Sequence, residues 1–491
     1  MDVIDLRILL APAISFGCAV LIFLLGARAR WRRVLALGAA VTKFIVILSL
    51  LPGSLAGKVY VFEVLEFLPG VGISFRADAL GMFFALVSST LWVLTTVYAI
   101  GYMKGRHARV RFFGFFALCV STTVGIAFAE NLLTLFLFYE MLTICTYPLV
   151  VHDETPEALR AGRKYLAYTL LGGAALLLGM ILVQSLAGTL SFSHAGVLPA
   201  EAGSGALLAT FVTLIGGFGV KAAIMPLHGW LPAAMVAPTP VSALLHAVAV
   251  VKAGVFGILR VVHNIFGVDL LAQLGYASWL AWVAAFTIVA ASLIALAQDN
   301  LKRRLAYSTI SQLSYIVLGA ALLTPFAALA AVVHIANQAF AKITMFFVAG
   351  AIERSTGKTQ VHQLAGIGRT MPWTMAAFTI AALSFIGVPL FAGFVTKWYL
   401  SLGALQAGAW WFVLLMILSA LLNAAYWLPI VYLAWFRTPA AESAPIHEAE
   451  ALLLAPILVA AAYVLLLGIS MQVSWLPFSL AQATVRFVAG L

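Results

Sequence analysis

The chain has 491 residues, of which 64% are hydrophobic and only 9% are charged, and its mean hydropathy is +1.08. A soluble chain of this length needs roughly a quarter of its residues to be charged, so the composition excludes one large soluble domain and indicates an integral membrane protein. The formal charge of +11 would suggest a nucleic-acid partner only if the basic residues formed a patch, so their positions decide its meaning.

Fourteen apolar runs are long enough to cross a membrane, because a helix needs about 20 residues to span the hydrocarbon core. The N-terminus is acidic and lacks the basic region of a signal peptide, so we expect the first run to be a retained span. The run 374–404 is too long for one straight helix and contains Pro389, which predicts two half-helices with a break. The predicted spans are 6–27, 34–52, 78–102, 111–129, 131–151, 164–187, 205–225, 240–262, 277–297, 305–323, 326–351, 374–404, 409–436 and 451–471.

A short motif, G-F-x-x-K, occurs at 217–221 in the seventh predicted span and at 393–397 in the twelfth. The copies are an odd number of spans apart, so they enter the membrane in opposite senses, as in inverted-repeat transporters whose sites lie on broken helices. Each copy has a nearby proline, Pro226 or Pro389, where we expect helices 7 and 12 to break. The predicted fold is an all-α polytopic membrane protein of about 14 transmembrane helices with two inverted five-helix repeats. The predicted regions are the N-terminal spans 1–3 (1–110), the first repeat with spans 4–8 (111–262), the second repeat with spans 9–13 (276–436) and span 14 (437–491).

The basic residues are distributed unequally over the predicted loops. Eighteen of the 28 lie in six loops on one side of the membrane, and short loops rich in Lys and Arg face the cytoplasm. Both termini are therefore predicted to lie outside. Five basic residues fall on the opposite side or near the chain ends: Arg7, Lys58, Arg76, Arg260 and Arg486.

The remaining five basic residues are lysines inside predicted spans. A charged side chain at the middle of the bilayer costs a few kcal/mol, and such residues usually mark an ion or proton path. Of the 17 acidic residues, Glu140 is the one that lies squarely in the middle of a span. The five lysines are Lys43, Lys221, Lys252, Lys342 and Lys397.

Glu140 and Lys221 are the first candidates for ion or proton handling. An alternative for Glu140 is an acid that hydrogen-bonds a neighbouring helix. Lys221 is followed by Pro226, whose missing N–H is expected to free the carbonyl of Ala222 and so create a place where water can be held. The alternative for Lys221 is a side chain that reaches an interface.

Two later spans also carry titratable side chains. His246 and Lys252 lie six residues apart in span 8, about 9 Å along a continuous helix and roughly 120° apart around it. In span 11, His334, Gln338 and Lys342 recur every four residues and share one helix face. A lone histidine on an apolar face is more often a satisfied core residue. Three polar groups in register favour a hydrated path.

Lys397, the last of the five lysines in predicted spans, follows the break expected at Pro389. Lys43 stands alone in span 2, and a packing or lipid-facing role is at least as plausible for it. Residues 152–154 are His, Asp and Glu, but three adjacent residues do not converge on one metal ion without outside ligands, so we expect a solvated loop. The three cysteines lie singly in apolar stretches, so no metal or cofactor site is expected.

Several segments resemble the antiporter-like subunits shared by Mrp-type multisubunit Na⁺/H⁺ antiporters, the proton-pumping membrane subunits of respiratory complex I, and membrane-bound hydrogenases. They cover predicted spans five to twelve, and their order and spacing make the resemblance specific. The segments are 138–140 (FYE), 221–234 (KAAIMPLHGWLPAA), 237–246 (APTPVSALLH), 299–312 (DNLKRRLAYSTISQ) and 387–394 (GVPLFAGF).

The resemblance implies a role for each buried titratable group in proton movement. Two positions depart from the family pattern: Gln338 stands where some members carry a second histidine, and Leu390 replaces the second proline of a pair. An amide cannot be a protonation stage, so a relay passing Gln338 would need water. The implied roles are an acid–lysine pair (Glu140 and Lys221), a central lysine (Lys252), a relay on span 11 (His334 and Lys342) and a terminal lysine on the broken twelfth helix (Lys397).

The chain's length, Lys397 and the surroundings of Tyr139, Glu140 and 161–165 look most similar to the D subunit of Mrp-type antiporters. The resemblance therefore implies a proton-translocating membrane subunit of a multisubunit Na⁺/H⁺ antiporter, with other membrane subunits as partners, in the bacterial inner membrane. The alternative is a proton-pumping subunit of a complex I-like or hydrogenase-type redox complex. In either case the chain has no catalytic site or cofactor of its own. A stand-alone carrier of a small solute is disfavoured because the buried groups form a basic row and not a pocket.

The mechanism predicted from these residues is a transfer of protons along a midplane row of Lys, His and Glu side chains and water. Contact with Glu140 stabilises the ammonium form of Lys221, and separation in a low dielectric destabilises it and releases the proton toward Lys252. A partner subunit could bias such a two-state pair.

Overall fold

The structure, a computed structural model, describes residues 2–68, 71–438, 447–469 and 479–484. Within these residues, 12 helical segments are long and apolar enough to cross a membrane. The helix Leu301–Ala321 has 21 residues but begins with three basic side chains, and two further apolar helices have 15 residues each. The exact number of fourteen spans stays a prediction, as does the placement of Arg486, which lies outside the described residues.

The helices follow one another through short connections. Those of the first half are α1 (Arg7–Leu25), α2 (Ala29–Leu55), α3 (Ala79–Tyr102), α4 (Arg109–Ala127), α5 (Leu132–Val150), α6 (Pro156–Ala187), α7 (Ser204–Ala222), α8 (Trp230–Ala233), α9 (Thr239–Ala247) and α10 (Val250–Arg260). Those of the second half are α11 (Val268–Leu274), α12 (Tyr276–Leu296), α13 (Leu301–Ala321), α14 (Pro325–Thr356), α15 (Ile367–Thr370), α16 (Pro372–Ile386), α17 (Ala392–Gln406), α18 (Trp411–Phe436) and α19 (Ala451–Ile469).

A three-stranded sheet covers one end of the helix bundle, which the all-α prediction missed. Strand β1 (Asp2–Ile4) pairs in parallel with β2 (Val59–Leu68), and β2 pairs antiparallel with β3 (Val71–Ala77). Strand β3 continues directly into the loop before α3. The segment is rich in β-branched and aromatic residues and too polar for a span, which is the composition of a strand.

Four long helices begin at a residue whose side chain accepts a hydrogen bond from the first helical turn. Such residues satisfy a backbone N–H that has no partner inside the helix. They also explain why these helices start abruptly after short loops. The capping residues are Asp78, Asn131, Thr155 and Asn300, before α3, α5, α6 and α13.

The centre of the bundle is formed by α14 and by the stretch Thr239–Phe266. Both are buried along almost their whole length, whereas α2 and α18 expose most of their apolar side chains. Exposed leucines and phenylalanines on the outer helices, such as Leu171 and Phe436, suit contact with lipid or with other subunits. The polar side chains of α14 therefore lie deep inside the protein.

Predicted spans 7 and 12 are broken, as expected, after α7 and between α16 and α17, but the first break differs in detail. Helix α7 ends at Ala222, and Ala223 has a left-handed backbone with φ 56°. Pro226 lies beyond this end, so the prediction that it frees the carbonyl of Ala222 inside a helix is wrong. The second break runs from Gly387, at φ 92°, to the start of α17 and contains Pro389.

The eighth predicted span also contains a break that the sequence pattern did not show. Helix α9 ends at Ala247 and α10 begins at Val250, with irregular backbone at Val248 and Ala249 between them. After α10 the chain continues as a π-helix, Val261–Phe266. The rise and angle predicted between His246 and Lys252 assumed one continuous helix and therefore do not apply.

Candidate functional site

The predicted acid lies on α5 and the predicted lysine on α7, and among the described residues they interact electrostatically without forming an ion pair or a hydrogen bond. The Nζ atom of Lys221 donates a hydrogen bond of 2.5 Å to the backbone carbonyl of Tyr139 and lies 3.4 Å from the centre of the Tyr139 ring. Glu140 is the next residue on α5 and interacts electrostatically with Lys221. Lys221 is completely buried, so the alternative in which it reaches an interface is excluded.

Glu140 lies against a glycine of α6 that sequence reasoning missed. Its carboxyl group occupies the space where a Cβ atom at Gly173 would stand. The Glu140 side chain is only partly buried, and its Oε1 atom has no hydrogen-bond partner among the described residues. One carboxylate oxygen is thus buried without a partner in the described part of the chain, although the side chain as a whole is only partly buried.

Lys252 lies at the start of α10, beside the break of α7. Its Nζ atom is buried and makes no hydrogen bond to the part of the chain that the structure describes. Two residues further along α10, Gly254 packs directly on the backbone of Lys221 and Ala222, and a Cβ atom there would overlap it. The missing side chain at Gly254 brings α10, and with it Lys252, to the end of α7.

His246 lies at the end of α9, against α14. Its ring is 4.8 Å from the ring of Phe346, centre to centre, and neither ring nitrogen has a partner within the described ranges. The side-chain amide of Gln338 donates a 3.4 Å hydrogen bond to the backbone carbonyl of His246. Gln338 therefore joins α14 to α9 at the position where some family members carry a second histidine.

His334 connects α14 to the half-helix that carries Lys397. Its Nδ1 atom is 3.1 Å from the hydroxyl of Thr396. Asn337 donates to the same hydroxyl at 3.0 Å and to the backbone carbonyl of Ala392 at 2.8 Å. These bonds fix His334 next to the residue that precedes Lys397.

Lys342 is held by a hydrogen-bond network that the sequence analysis did not identify. Its Nζ atom donates to the hydroxyl of Ser308 at 2.9 Å. The Tyr426 hydroxyl donates to the side-chain carbonyl of Asn423 at 2.5 Å and lies 3.4 Å from the Ser308 hydroxyl. Asn423 and Tyr426 are buried polar residues in the otherwise apolar α18, and this contrast is the signal that could have revealed the network.

Lys397 bonds to the helix on the other side of its own break. Its Nζ atom donates to the backbone carbonyls of Phe385 at 3.0 Å and Ile386 at 2.7 Å, which lie in the last turn of α16. Its side chain passes over Gly387. No described acidic side chain forms an ion pair with it.

The seven predicted residues thus fall into two groups, Glu140 with Lys221 and the other five around the central helices, and among the described residues no hydrogen bond or ion pair joins one member directly to another. Electrostatic interactions link Lys252 to His334 and to Lys342, Lys342 to His246, and His334 to Lys397. In the described residues, no metal-binding group of three His, Cys, Asp or Glu side chains includes any member. We refer to the set Glu140, Lys221, Lys252, His246, His334, Lys342 and Lys397 as the polar row.

Lys43 and Arg260 do not have the surroundings predicted for them. Lys43 is fully buried, 3.8 Å above the ring of Trp92, so the lipid-facing interpretation is wrong and the packing interpretation remains. Arg260 was expected near the outer surface, but it is buried and bonds Asp78 at 2.6 and 2.9 Å. This ion pair joins α10 to the start of α3 at the sheet end of the bundle.

The segment 152–154 is only partly the solvated loop that was expected. His152 is 1% exposed, and this burial lowers its pKa to about 4 although the neighbouring Asp153 acts in the opposite direction. Glu154 is exposed and pairs with Arg111. The expectation of a solvated segment is therefore wrong for His152, which packs against the first turn of α4.

Comparison with known proteins gives matches over most of the chain. The model of the family described as NADH:quinone oxidoreductase/Mrp antiporter, TM, matches residues 129–423, and the model described as NADH-ubiquinone oxidoreductase (complex I), chain 5 N-terminus, matches residues 70–113. The first of these covers more than half of the chain and contains every residue of the polar row.

Individual relatives agree with the family match. NADH-quinone oxidoreductase subunit N of Desulforudis audaxviator is 34% identical over 433 residues, which are 84% of this chain and 85% of the relative. Na⁺/H⁺ antiporter subunit A1 of Staphylococcus aureus is 33% identical over 72% of this chain and 46% of the relative. A chain in the structure of the Mrp complex from Dietzia sp. DQ12-45-1b superposes with a TM-score of 0.89 at 22% identity, covering 98% of this chain and 97% of that chain, which shows the shared fold.

Proposed function

The chain belongs to the NADH:quinone oxidoreductase/Mrp antiporter family of membrane subunits, and from this premise we propose that it moves protons along the polar row as one subunit of an Mrp-type Na⁺/H⁺ antiporter. The protons pass between Lys, His and Glu side chains and water near the middle of the membrane. The subunit has no catalytic site of its own, and it works with the other membrane subunits of its complex.

The arrangement of Glu140 and Lys221 carries this proposal. A buried ammonium needs compensation, because the cost of moving a charge into a low dielectric is several kcal/mol. Lys221 receives it from the carbonyl and ring of Tyr139 and from the field of Glu140. Because Glu140 is only partly buried and Lys221 is completely buried, a change at the outer face of α5 alters the compensation of an internal charge.

The two states of this pair supply a proton-release step. With Glu140 beside Lys221, the carboxylate stabilises the ammonium. When α5 moves away, the ammonium loses this stabilisation, and the proton passes toward Lys252 at the neighbouring break. Gly254 supports this direction, since it is where α10 packs on the end of α7.

The antiporter assignment rests on sequence features and on the relatives. Lys397 and the surroundings of Glu140 favour an Mrp-type D subunit, and the Staphylococcus aureus relative is an Na⁺/H⁺ antiporter subunit. A second candidate is a proton-pumping subunit of a redox-driven complex. It is favoured by the match to NADH-quinone oxidoreductase subunit N, which covers 84% of this chain and 85% of that one.

We also propose the bacterial inner membrane as the location, with both termini outside and the two repeats at 111–262 and 276–436. The unequal distribution of basic residues between the loops supports this orientation.

The proposal is tested with two substitutions, Glu140→Gln and Lys221→Ala, in the native complex. Everted membrane vesicles are energised, and collapse of the pH gradient on addition of Na⁺ is followed with a pH-sensitive dye. We expect each variant to lose transport by about 100-fold or more, since removing a proton-transfer group typically costs that much, while the complex still assembles.

The control is Glu154→Gln, which removes an exposed acid outside the polar row. Transport at the wild-type rate in both polar-row variants would contradict the proposal. The subunits that purify with the tagged chain separate the two candidates, because cofactor-containing peripheral subunits indicate the redox complex and small membrane subunits alone indicate the antiporter.

A further inference from the structure

Two loops meet at the end of the bundle opposite the sheet and bring three potential metal ligands together. His107 lies in the loop between α3 and α4, and His152 and Asp153 follow the end of α5. One ligand atom from each side chain lies within 4.8 Å of the other two. The sequence argument against a metal was that adjacent residues need an outside ligand, and His107 is that ligand.

We propose that His107, His152 and Asp153 form a binding site for a divalent transition-metal ion such as Zn²⁺, which joins the two loops. Two imidazoles and one carboxylate are a ligand set that zinc accepts, with water in the fourth position. In a tetrahedral site with bonds of about 2.0–2.1 Å, neighbouring ligand atoms are about 3.4 Å apart. The ligand atoms therefore need to approach by about 1.5 Å or less, and because the two rings are stacked, one ring must also turn so that both lone pairs meet at one ion. His107 is exposed and has room for this rotation, whereas His152 is buried.

The hydrogen bonds around His107 leave one of its nitrogens available. Its Nε2 atom lies 3.1 Å from the backbone carbonyl of His152, so Nε2–H donates to that carbonyl and the Nδ1 lone pair is free. A metal-bound histidine usually donates its other ring N–H to a carbonyl or carboxylate in this way. The contact orients the ring toward the second loop.

His152 provides the second independent observation. It is 1% exposed, and neither of its ring nitrogens has a hydrogen-bond partner among the residues that the structure describes. Its ring stacks on His107 with 4.8 Å between centres and meets Phe112 edge-on. A buried imidazole with two unused nitrogens costs free energy, and a bound metal ion satisfies one of them.

The charges around the two histidines are mixed, because Arg106 and Arg111 act against a bound cation and Asp153 acts in its favour. The guanidinium of Arg111 pairs with Glu154 and donates to the carbonyl of His152 at 2.7 Å. Arg106 stacks 4.3 Å above the ring of Tyr102. Asp153 remains as the carboxylate that faces the two imidazoles.

The experiment uses the full-length chain, purified in detergent with an affinity tag that contains no histidine. Zn²⁺ binding is measured by equilibrium dialysis, and Co²⁺ serves as a spectroscopic probe of the coordination geometry. We expect one Zn²⁺ per chain, and at least about tenfold weaker binding for His107→Ala and for Asp153→Asn. The matched control is His362→Ala, which removes an exposed histidine beside a single carboxylate, Asp299, and should bind like wild type.

Hydrogen exchange tests whether the ion joins the loops. Zn²⁺ should slow exchange at both 103–108 and 151–155 in the wild-type chain and in neither segment of His107→Ala. His107 is exposed, so its replacement should leave the core unchanged, and loss of binding would then not come from unfolding.

Equal Zn²⁺ affinity in wild type and His107→Ala would overturn the site, and so would protection of only one loop. Neither measurement depends on transport, so failure here leaves the proton path untouched.

Discussion

Lys221 and Lys397 share the motif G-F-x-x-K, but the structure holds their amines in two different ways. Lys221 precedes a helix break and bonds to another helix, at a carbonyl inside α5 that also accepts a 3.4 Å bond from the side chain of Thr143. Lys397 follows a helix break and bonds to two carbonyls in the last turn of α16. The carbonyls at a helix C-terminus have no partner inside the helix, so Lys397 acts as the cap of α16.

The two sites differ in whether the groups that stabilise the ammonium can move relative to the lysine. A cation at a helix C-terminus is stabilised by the unpaired carbonyls and by the helix dipole, and both belong to the same broken helix as Lys397. The stabilisation of Lys221 comes from α5, including Glu140, and changes whenever α5 shifts relative to α7. We therefore expect the Lys221 site to control proton movement and the Lys397 site to depend on an intact helix break.

The largest expected effects are those of Lys221→Met and Lys397→Met, which should differ in stability. Lys221→Met should reduce transport by about 100-fold or more with little change in thermal unfolding. Lys397→Met should also reduce transport, because Lys397 belongs to the polar row, and since it leaves two helix-end carbonyls unpaired it should in addition lower the free energy of unfolding by about 2 kcal/mol or more. Transport in vesicles and thermal unfolding in detergent measure the two effects.

Lys43→Met is the matched control, since it removes a buried lysine outside the polar row. It should keep both transport and stability near the wild-type values. Equal losses of stability in the Lys221 and Lys397 variants would remove the distinction between the two sites.

A smaller effect is expected from glycines that make room for each site. In Gly173→Ala the new methyl group overlaps the Glu140 carboxylate, so transport should fall by about 10- to 100-fold, the cost of misplacing a reacting group by about 1 Å. In Gly387→Ala the backbone at φ 92° is strained by about 1–2 kcal/mol, which lowers stability. Vesicle transport and thermal unfolding again distinguish them, and the opposite pattern would contradict the account.

The smallest effect is expected at Lys342, whose hydroxyl partner is Ser308. Ser308→Ala removes one hydrogen bond, worth about 1 kcal/mol, and should slow transport a few-fold. Tyr426→Phe, one bond further from the amine, should slow it less. A larger loss in Tyr426→Phe than in Ser308→Ala would show that the network does more than position Lys342.

The fold class and the titratable row could be predicted because both depend on single residue types in a simple setting. Apolar runs define spans, and a lysine or acid inside a run stands out against its neighbours. The partners of these groups could not be predicted, because they are backbone carbonyls, such as those of Tyr139 and Phe385, or absent side chains, such as Gly173 and Gly254. A pattern of side chains carries no information about which carbonyls a tertiary contact exposes.

The sheet and the break in span 8 were missed for related reasons. The residues of β2 and β3 are too polar for a span and were left between two stronger apolar runs, and the pairing of the strands joins separate segments. The irregular backbone at Val248 and Ala249 has no proline or glycine to mark it. His152 and His107 became neighbours only through the packing of two loops.

The most direct test of the central claim, that Glu140 acts through Lys221, is a double-mutant cycle on transport. Glu140→Asp and Lys221→Arg are mild enough to leave a measurable rate, and the cycle compares each single variant with the double variant in vesicles. The account predicts that the double variant is no slower than the slower single variant, because both changes disturb the same contact. If the two losses instead multiply, as they should for Glu140→Asp combined with a change at Lys397, the two residues act independently and the account is wrong.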